Sequence, residues 1–195
     1  MKKTIYTSMA VFWGSFAVVL LTHLLTGTAE FRLDYSISRY VGLTIPSAIV
    51  FLLTNIVVSV LMWRFMKPKI KTKTQSFLIK YIIAMLILLS IFPIVLFDEV
   101  IPTPIIFGRA PISFLHVITS RTMFFAMAAF ALATFYEGKS KKLHEQNVQK
   151  CAFLFFVFAA LCVFVYIFFS PVFWQLNIVF ESIYIAFFFF LISVF

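Results

Sequence analysis

Charge is what this chain has least of. Asp, Glu, Lys and Arg make up 12% of its 195 residues, against about a quarter in soluble domains. With 63% hydrophobic residues and a mean hydropathy of +1.07, that shortage excludes an ordinary water-soluble domain and leaves lipid as the main solvent. Cysteine is almost missing too. Cys151 and Cys162 fall in one apolar run, where a helical rise of 1.5 Å per residue sets them about 16 Å apart, beyond disulfide reach. They read as small apolar residues. The apolar runs lack the period-two alternation of barrel strands, which leaves the α-helix as the spanning element. No H-x-x-x-H or H-E-x-x-H spacing occurs among the histidines, so no metal site and no cofactor is expected. The formal charge of +9 does not point to nucleic acid, because the positives sit in short clusters beside apolar runs, as topology signals do.

What is present is a series of six apolar runs, at 6–27, 44–65, 77–97, 113–136, 151–170 and 174–194. Each is long enough to cross about 30 Å of hydrocarbon. They predict an all-α integral membrane protein, a six-transmembrane-helix bundle forming one membrane domain over residues 1–195. The start, with Lys2 and Lys3 before an apolar stretch, resembles a signal peptide. Its hydrophobic run is long and lacks a small-x-small cleavage site, so it reads as a retained first helix. The last run ends beside Phe195, and whether that is the natural C-terminus stays open. No span is broken near its middle by a Gly/Pro pair, the usual pointer to a transporter site.

Orientation follows from the positives. Lys2, Lys3, Arg64, Lys67, Lys69, Lys71, Lys73, Lys80, Lys139, Lys141, Lys142 and Lys150 all fall on one side of a six-span arrangement. The other side carries Arg32, Arg39 and Arg109 with Glu30, Asp34, Asp98 and Glu99. The positive-inside rule makes the lysine side cytoplasmic, with both termini there, in a multi-pass protein of the cell membrane. Tyr6, Trp63, Tyr81 and Tyr136 are then expected at the inner interface, and Tyr40 and Trp174 at the outer one.

Polar groups inside the runs are costly, so each needs a partner. Arg121 lies eight residues into the fourth run and Glu181 seven into the sixth, both about 10–12 Å below the outer boundary. Equal depth and opposite charge predict an ion pair. Asn177, Glu181 and Tyr184, spaced i, i+4, i+7, give the sixth span one polar stripe, expected to face the interior. His116 and Ser120 share a face, whereas Arg121 is about 140° around the helix from His116. His23, Arg39, Asp98 and Glu99 lie toward the same outer half. Asn55 and Ser59 in the second span, and Ser8, Ser15 and Thr22 in the first, read as polar glue between helices. The second outer loop, 97–113, has Pro102, Pro104 and Pro111 and is expected to form an ordered cap over the outer cluster.

Two stretches resemble a known family. Residues 35–42, Tyr-Ser-Ile-Ser-Arg-Tyr-Val-Gly, look like the S-x-S-x-Y outer-loop motif of DUF998-type bacterial six-span membrane proteins. Phe92, Pro93, Asp98, Pro102, Thr103, Gly108 and His116 are similar to that family's pattern between spans three and four. The family is distantly similar to the Frag/DRAM/Sfk group. The resemblance implies a six-span architecture and marks Ser36, Ser38, Arg39, Tyr40, Asp98 and His116 as a shared site. A phospholipid headgroup is the ligand that it implies.

The function expected from these residues is binding of a lipid headgroup or small amphiphile in an outward-facing polar cavity, without catalysis. Arg39 and Arg121 would engage an anionic group while Asp98, His116 and Glu181 orient it. His23, Ser36, Ser38, Tyr40, Asn177 and Tyr184 stand behind them. The alternatives are an intramembrane hydrolase or transferase, with His116 as base, Asp98 as its orienter and Ser36 or Ser38 as nucleophile, and a small carrier using Glu181. The expected partners are membrane lipids and no nucleic acid; whether the chain forms a homo- or hetero-oligomer is left open.

Overall fold

A computed structural model describes residues 2–91, 111–141 and 145–195, apart from the side chains at 2, 111–114, 140, 141 and 172–174. Every described element is a helix: α1 (Lys2–Leu25), α2 (Ile37–Val41), α3 (Ile45–Met66), α4 (Lys73–Ile91), α5 (Pro111–Lys141), α6 (Gln146–Phe168), α7 (Ser170–Gln175) and α8 (Asn177–Val194). Six of them, α1, α3, α4, α5, α6 and α8, are long and apolar enough to cross a membrane, which is the build of a polytopic membrane protein. Helices satisfy their own backbone groups, as hydrocarbon requires.

The spans pack in chain order, α1 on α3, α3 on α4, α4 on α5, α5 on α6 and α6 on α8, and α8 returns to α1 to close a ring. The ring is lined by apolar side chains buried from both faces, among them Phe12, Val58, Met62, Ile82, Met127, Phe130 and Phe188. Equally apolar residues such as Leu21, Leu53, Phe125, Leu161 and Phe190 cover the outside, a surface suited to lipid contact. Of the Phe187–Phe190 run, Phe188 and Phe189 turn inward. Aromatic edges interlock across the seams: Phe155 of α6 meets Tyr184, Phe187 and Phe188 of α8 at centroid distances of 5.0, 5.3 and 5.7 Å.

Local chemistry sets the ends. At the close of α1, Gly27 takes φ +67°, Thr28 N–H donates to His23 O and Gly27 N–H to Leu24 O. That pair of bonds ends the helix on a left-handed residue, where glycine carries no Cβ penalty. Thr44 caps α3 through a reciprocal bond pair with Ser47, with proline in the first turn, the position where its missing N–H costs nothing. Near the lysine-bearing ends of α4 and α5, Thr72 Oγ1 donates to Glu137 Oε2 at 2.6 Å and Gln75 Nε2 to Thr134 Oγ1 at 3.4 Å.

Two expectations for span residues need correction. Ser8 and Thr22 do not bridge helices: Ser8 donates to Thr4 O and Thr22 to Val18 O, four residues back in their own helix. That acceptor is always within reach of a helical hydroxyl. Tyr40 is not an interfacial belt residue but is fully buried. Its hydroxyl accepts from Arg32 N–H at 2.7 Å and lies 3.2 and 3.1 Å from Glu30 O and Arg32 O, so a polar tip is satisfied without water.

Candidate functional site

The ring leaves a cavity on its axis, in the half away from the lysines. It is small and partly open to the exterior, and five of the six spans and α2 contribute to its wall. Its polar lining is Ser38 of α2, Asn55 of α3, His116 and Ser120 of α5 and Glu181 of α8, set among Phe12, Phe51, Leu86, Met123 and Ile185. His116 and Ser120, one helical turn apart, face it together, as their spacing predicts.

Short helix α2 contributes Ile37 and Ser38 to the lining. Ser36 caps it by accepting from Arg39 N–H at 3.1 Å, and the Ser36 and Ser38 hydroxyls are 2.8 Å apart. Across 144 positions of sequence, Glu181 Oε2 accepts the Ile37 N–H at 2.9 Å. That donor belongs to the first turn of α2, whose N–H groups have no partner within the helix. A carboxylate in an apolar surrounding is thereby supplied with a donor, at a place where the helix dipole also favours negative charge.

The ion pair between Arg121 and Glu181 is not formed. Arg121 is exposed; its Nη2 donates to Tyr166 Oη of α6 at 2.8 Å, and its guanidinium carbon lies 5.4 Å from the centre of that ring. The reason is angular. Ser120 lines the cavity, and one residue further along an α-helix turns 100° away, which carries Arg121 to the outer seam with α6. Among the described residues the one ion pair is Arg32–Asp34 at 2.9 Å, on the exposed loop before α2. The Arg32 guanidinium holds the Asp34 carboxyl below its ordinary range.

Arg39 does not reach the cavity either. It is exposed, with its guanidinium 4.0 Å from the Tyr35 ring centre. No Lys or Arg is among the described residues of the lining, and neither Arg39 nor Arg121 belongs to it. His23 is buried, but its Nε2 makes no hydrogen bond and it lies outside the lining. Asn177 and Tyr184 are buried, and Tyr184 Oη donates to Phe124 O at 2.9 Å, so the polar stripe of α8 does turn inward. Asp98, Glu99, Arg109 and the expected cap as far as residue 110 lie outside the described residues, and with them the pairing of His116 with Asp98; Pro111 opens α5. Among the described residues no three His, Cys, Asp or Glu groups gather as metal ligands would.

The polar group whose role the sequence left incomplete is Asn55. Its Nδ2 donates to Ser90 Oγ of α4 at 2.6 Å, which is the interhelical glue expected of it. Its Oδ1 is buried and accepts from none of the described residues. Ser90 passes its own proton to Leu86 O, which fixes the amide orientation: the nitrogen faces Ser90 and the oxygen is left over. Ser120 likewise donates to Val117 O at 3.0 Å and keeps lone pairs to offer. One unpartnered amide oxygen and a carboxylate in the same lining suit a ligand that donates hydrogen bonds.

Comparison with protein-family models, with curated proteins and with solved structures finds no match.

Proposed function

We propose that this membrane protein binds the head of a lipid or small amphiphile in the axial cavity, and that the head is a hydrogen-bond donor, a primary ammonium foremost. The observation that carries this reading is the buried, unpartnered Asn55 Oδ1 in a lining that also holds the Glu181 carboxylate. An acceptor buried without a donor costs about 1–3 kcal/mol, and a bound N–H recovers it. With one carboxylate oxygen engaged by Ile37 N–H, the other is available to a cation. The apolar rest of the lining suits the hydrocarbon that follows such a head. By the positive-inside rule the cavity faces outward, with both termini in the cytoplasm.

The test compares phosphatidylethanolamine, whose ammonium has N–H donors, with phosphatidylcholine, whose quaternary ammonium has none. Protein in nanodiscs of the two lipids in equal parts is released into native mass spectrometry. Retained ethanolamine lipid should exceed choline lipid in the wild type. Glu181→Gln keeps an oxygen for Ile37 N–H and removes the charge; Asn55→Leu removes the spare acceptor. Each should lower the preference by about three- to tenfold, the net worth of one ordinary hydrogen bond. Equal retention of the two lipids by the wild type, or an unchanged ratio in both variants, would overturn the reading.

A further inference from the structure

Arg121 presents a problem that the axial cavity does not solve. It sits in a helix apolar enough to span a membrane, yet it is exposed on the outside of the ring, and its contacts are the Tyr166 hydroxyl and ring. A guanidinium has five N–H donors and keeps its charge at any pH the protein meets. Its neighbours one turn away on α5, Ile118 and Phe125, are exposed and apolar, as are Val163 and Ile167 flanking Tyr166 on α6. A permanent cation on an apolar surface calls for an anion.

We propose that Arg121 and Tyr166 bind the phosphate of a membrane phospholipid at the seam between α5 and α6, on the outer wall of the ring. Depth supports this. Arg121 is eight residues from position 113 and Tyr166 four residues from position 170, the outer ends of their apolar runs. At 1.5 Å per residue these are about 12 Å and 6 Å from the boundary. The long arginine side chain reaches across that difference toward the headgroup level, as snorkelling side chains do, and the bond to Tyr166 fixes it there. The planar fork then offers paired N–H groups to two phosphate oxygens, the geometry in which arginine surpasses lysine. The surrounding apolar side chains favour an anion that arrives with acyl chains over a free one.

This site is separate from the axial cavity in position and in the sign of charge that it recognises, so the two stand or fall apart. Detergent-purified protein is incubated with dioleoyl phosphatidylglycerol or with dioleoylglycerol, which has the same chains and no phosphate, and bound lipid is counted by native mass spectrometry. Phosphatidylglycerol should be retained by the wild type and dioleoylglycerol should not. Arg121→Gln should lower retention about tenfold, the loss of one charge-assisted bond. Arg121→Lys should fall between, because the charge stays and the fork goes, which also guards against a variant that fails to fold. Wild-type retention by Arg121→Gln would overturn the proposal. Displacement of the lipid by millimolar inorganic phosphate would overturn the choice of a lipid source. A wild-type dimer that Arg121→Gln converts to monomer would replace the lipid with a carboxylate of a second copy.

Discussion

Phe155→Ala is expected to destabilise the folded bundle by about 2–4 kcal/mol, while Leu154→Ala beside it changes stability by about 0.5 kcal/mol or less. Phe155 is fully buried and meets three rings of α8, two of them edge-on, so it is the main aromatic link between α6 and α8. Leu154 is 57% exposed on the lipid-facing surface. In a soluble protein the change at Phe155 costs about 3–5 kcal/mol, part of it from returning apolar surface to water. Here the unfolded reference stays in lipid or detergent, so that part shrinks and the lost packing remains. The measurement is unfolding in mixed micelles with increasing denaturing detergent, followed by helix content and by Tyr and Trp fluorescence. Equal effects of the two substitutions would mean that α6 and α8 do not meet along this face.

How much of this architecture could be read from the sequence depends on what apolarity reports. It marks hydrocarbon, so the six spans were legible, but it does not mark where a helix stops. α4 begins at Lys73, four residues before its apolar run, because Thr72 caps it, accepting from Gln75 N–H. α6 begins at Gln146, ahead of the run at Cys151, since a helix continues through polar residues once they have water to face. α2 was not legible at all. Five residues carry too little periodicity to register, and its only signals are the capping Ser36 and the terminal Gly42.

The site was legible in its members and not in its pairings. Of the polar groups put forward for their cost at membrane depth, Glu181 and His116 line the cavity, whereas Arg121 and His23 do not. A buried carboxylate does not require a cation for its partner. What it needs is a donor, and a backbone N–H of α2 serves. Side-chain bookkeeping has no means of seeing that, because every residue but proline carries the same N–H. Asn55 shows the converse. A residue that glues two helices through its nitrogen still has an oxygen to place, and only the geometry of Ser90 reveals that it is left over.

The other large effect is expected at Tyr40, which ties the loop before α2 to that helix. Its ring packs against Tyr35 and Phe16 at centroid distances of 5.4 and 6.4 Å, and its hydroxyl joins the backbone of Glu30 and Arg32. Tyr40→Phe leaves the Arg32 N–H without this acceptor and should cost about 1–3 kcal/mol. Tyr40→Ala removes the ring as well and should cost about 3–5 kcal/mol. Burial raises the phenol above its ordinary pKa, which sets a pH signature. A group whose folded pKa exceeds its unfolded one contributes in full below the unfolded value, about 10 for tyrosine, and loses that contribution as pH rises past it. The stability difference between wild type and Tyr40→Phe should therefore be flat from pH 7 to about 9 and narrow above about 10. A difference that instead stays flat through and beyond about pH 10 would show that the hydroxyl is solvated and that Tyr40 does not pin the loop. Because α2 follows directly from this loop, Tyr40→Ala should also loosen Ile37 from Glu181. The phosphatidylethanolamine preference should then fall with it, while phosphatidylglycerol retention at Arg121, on the far side of α5, stays as it is.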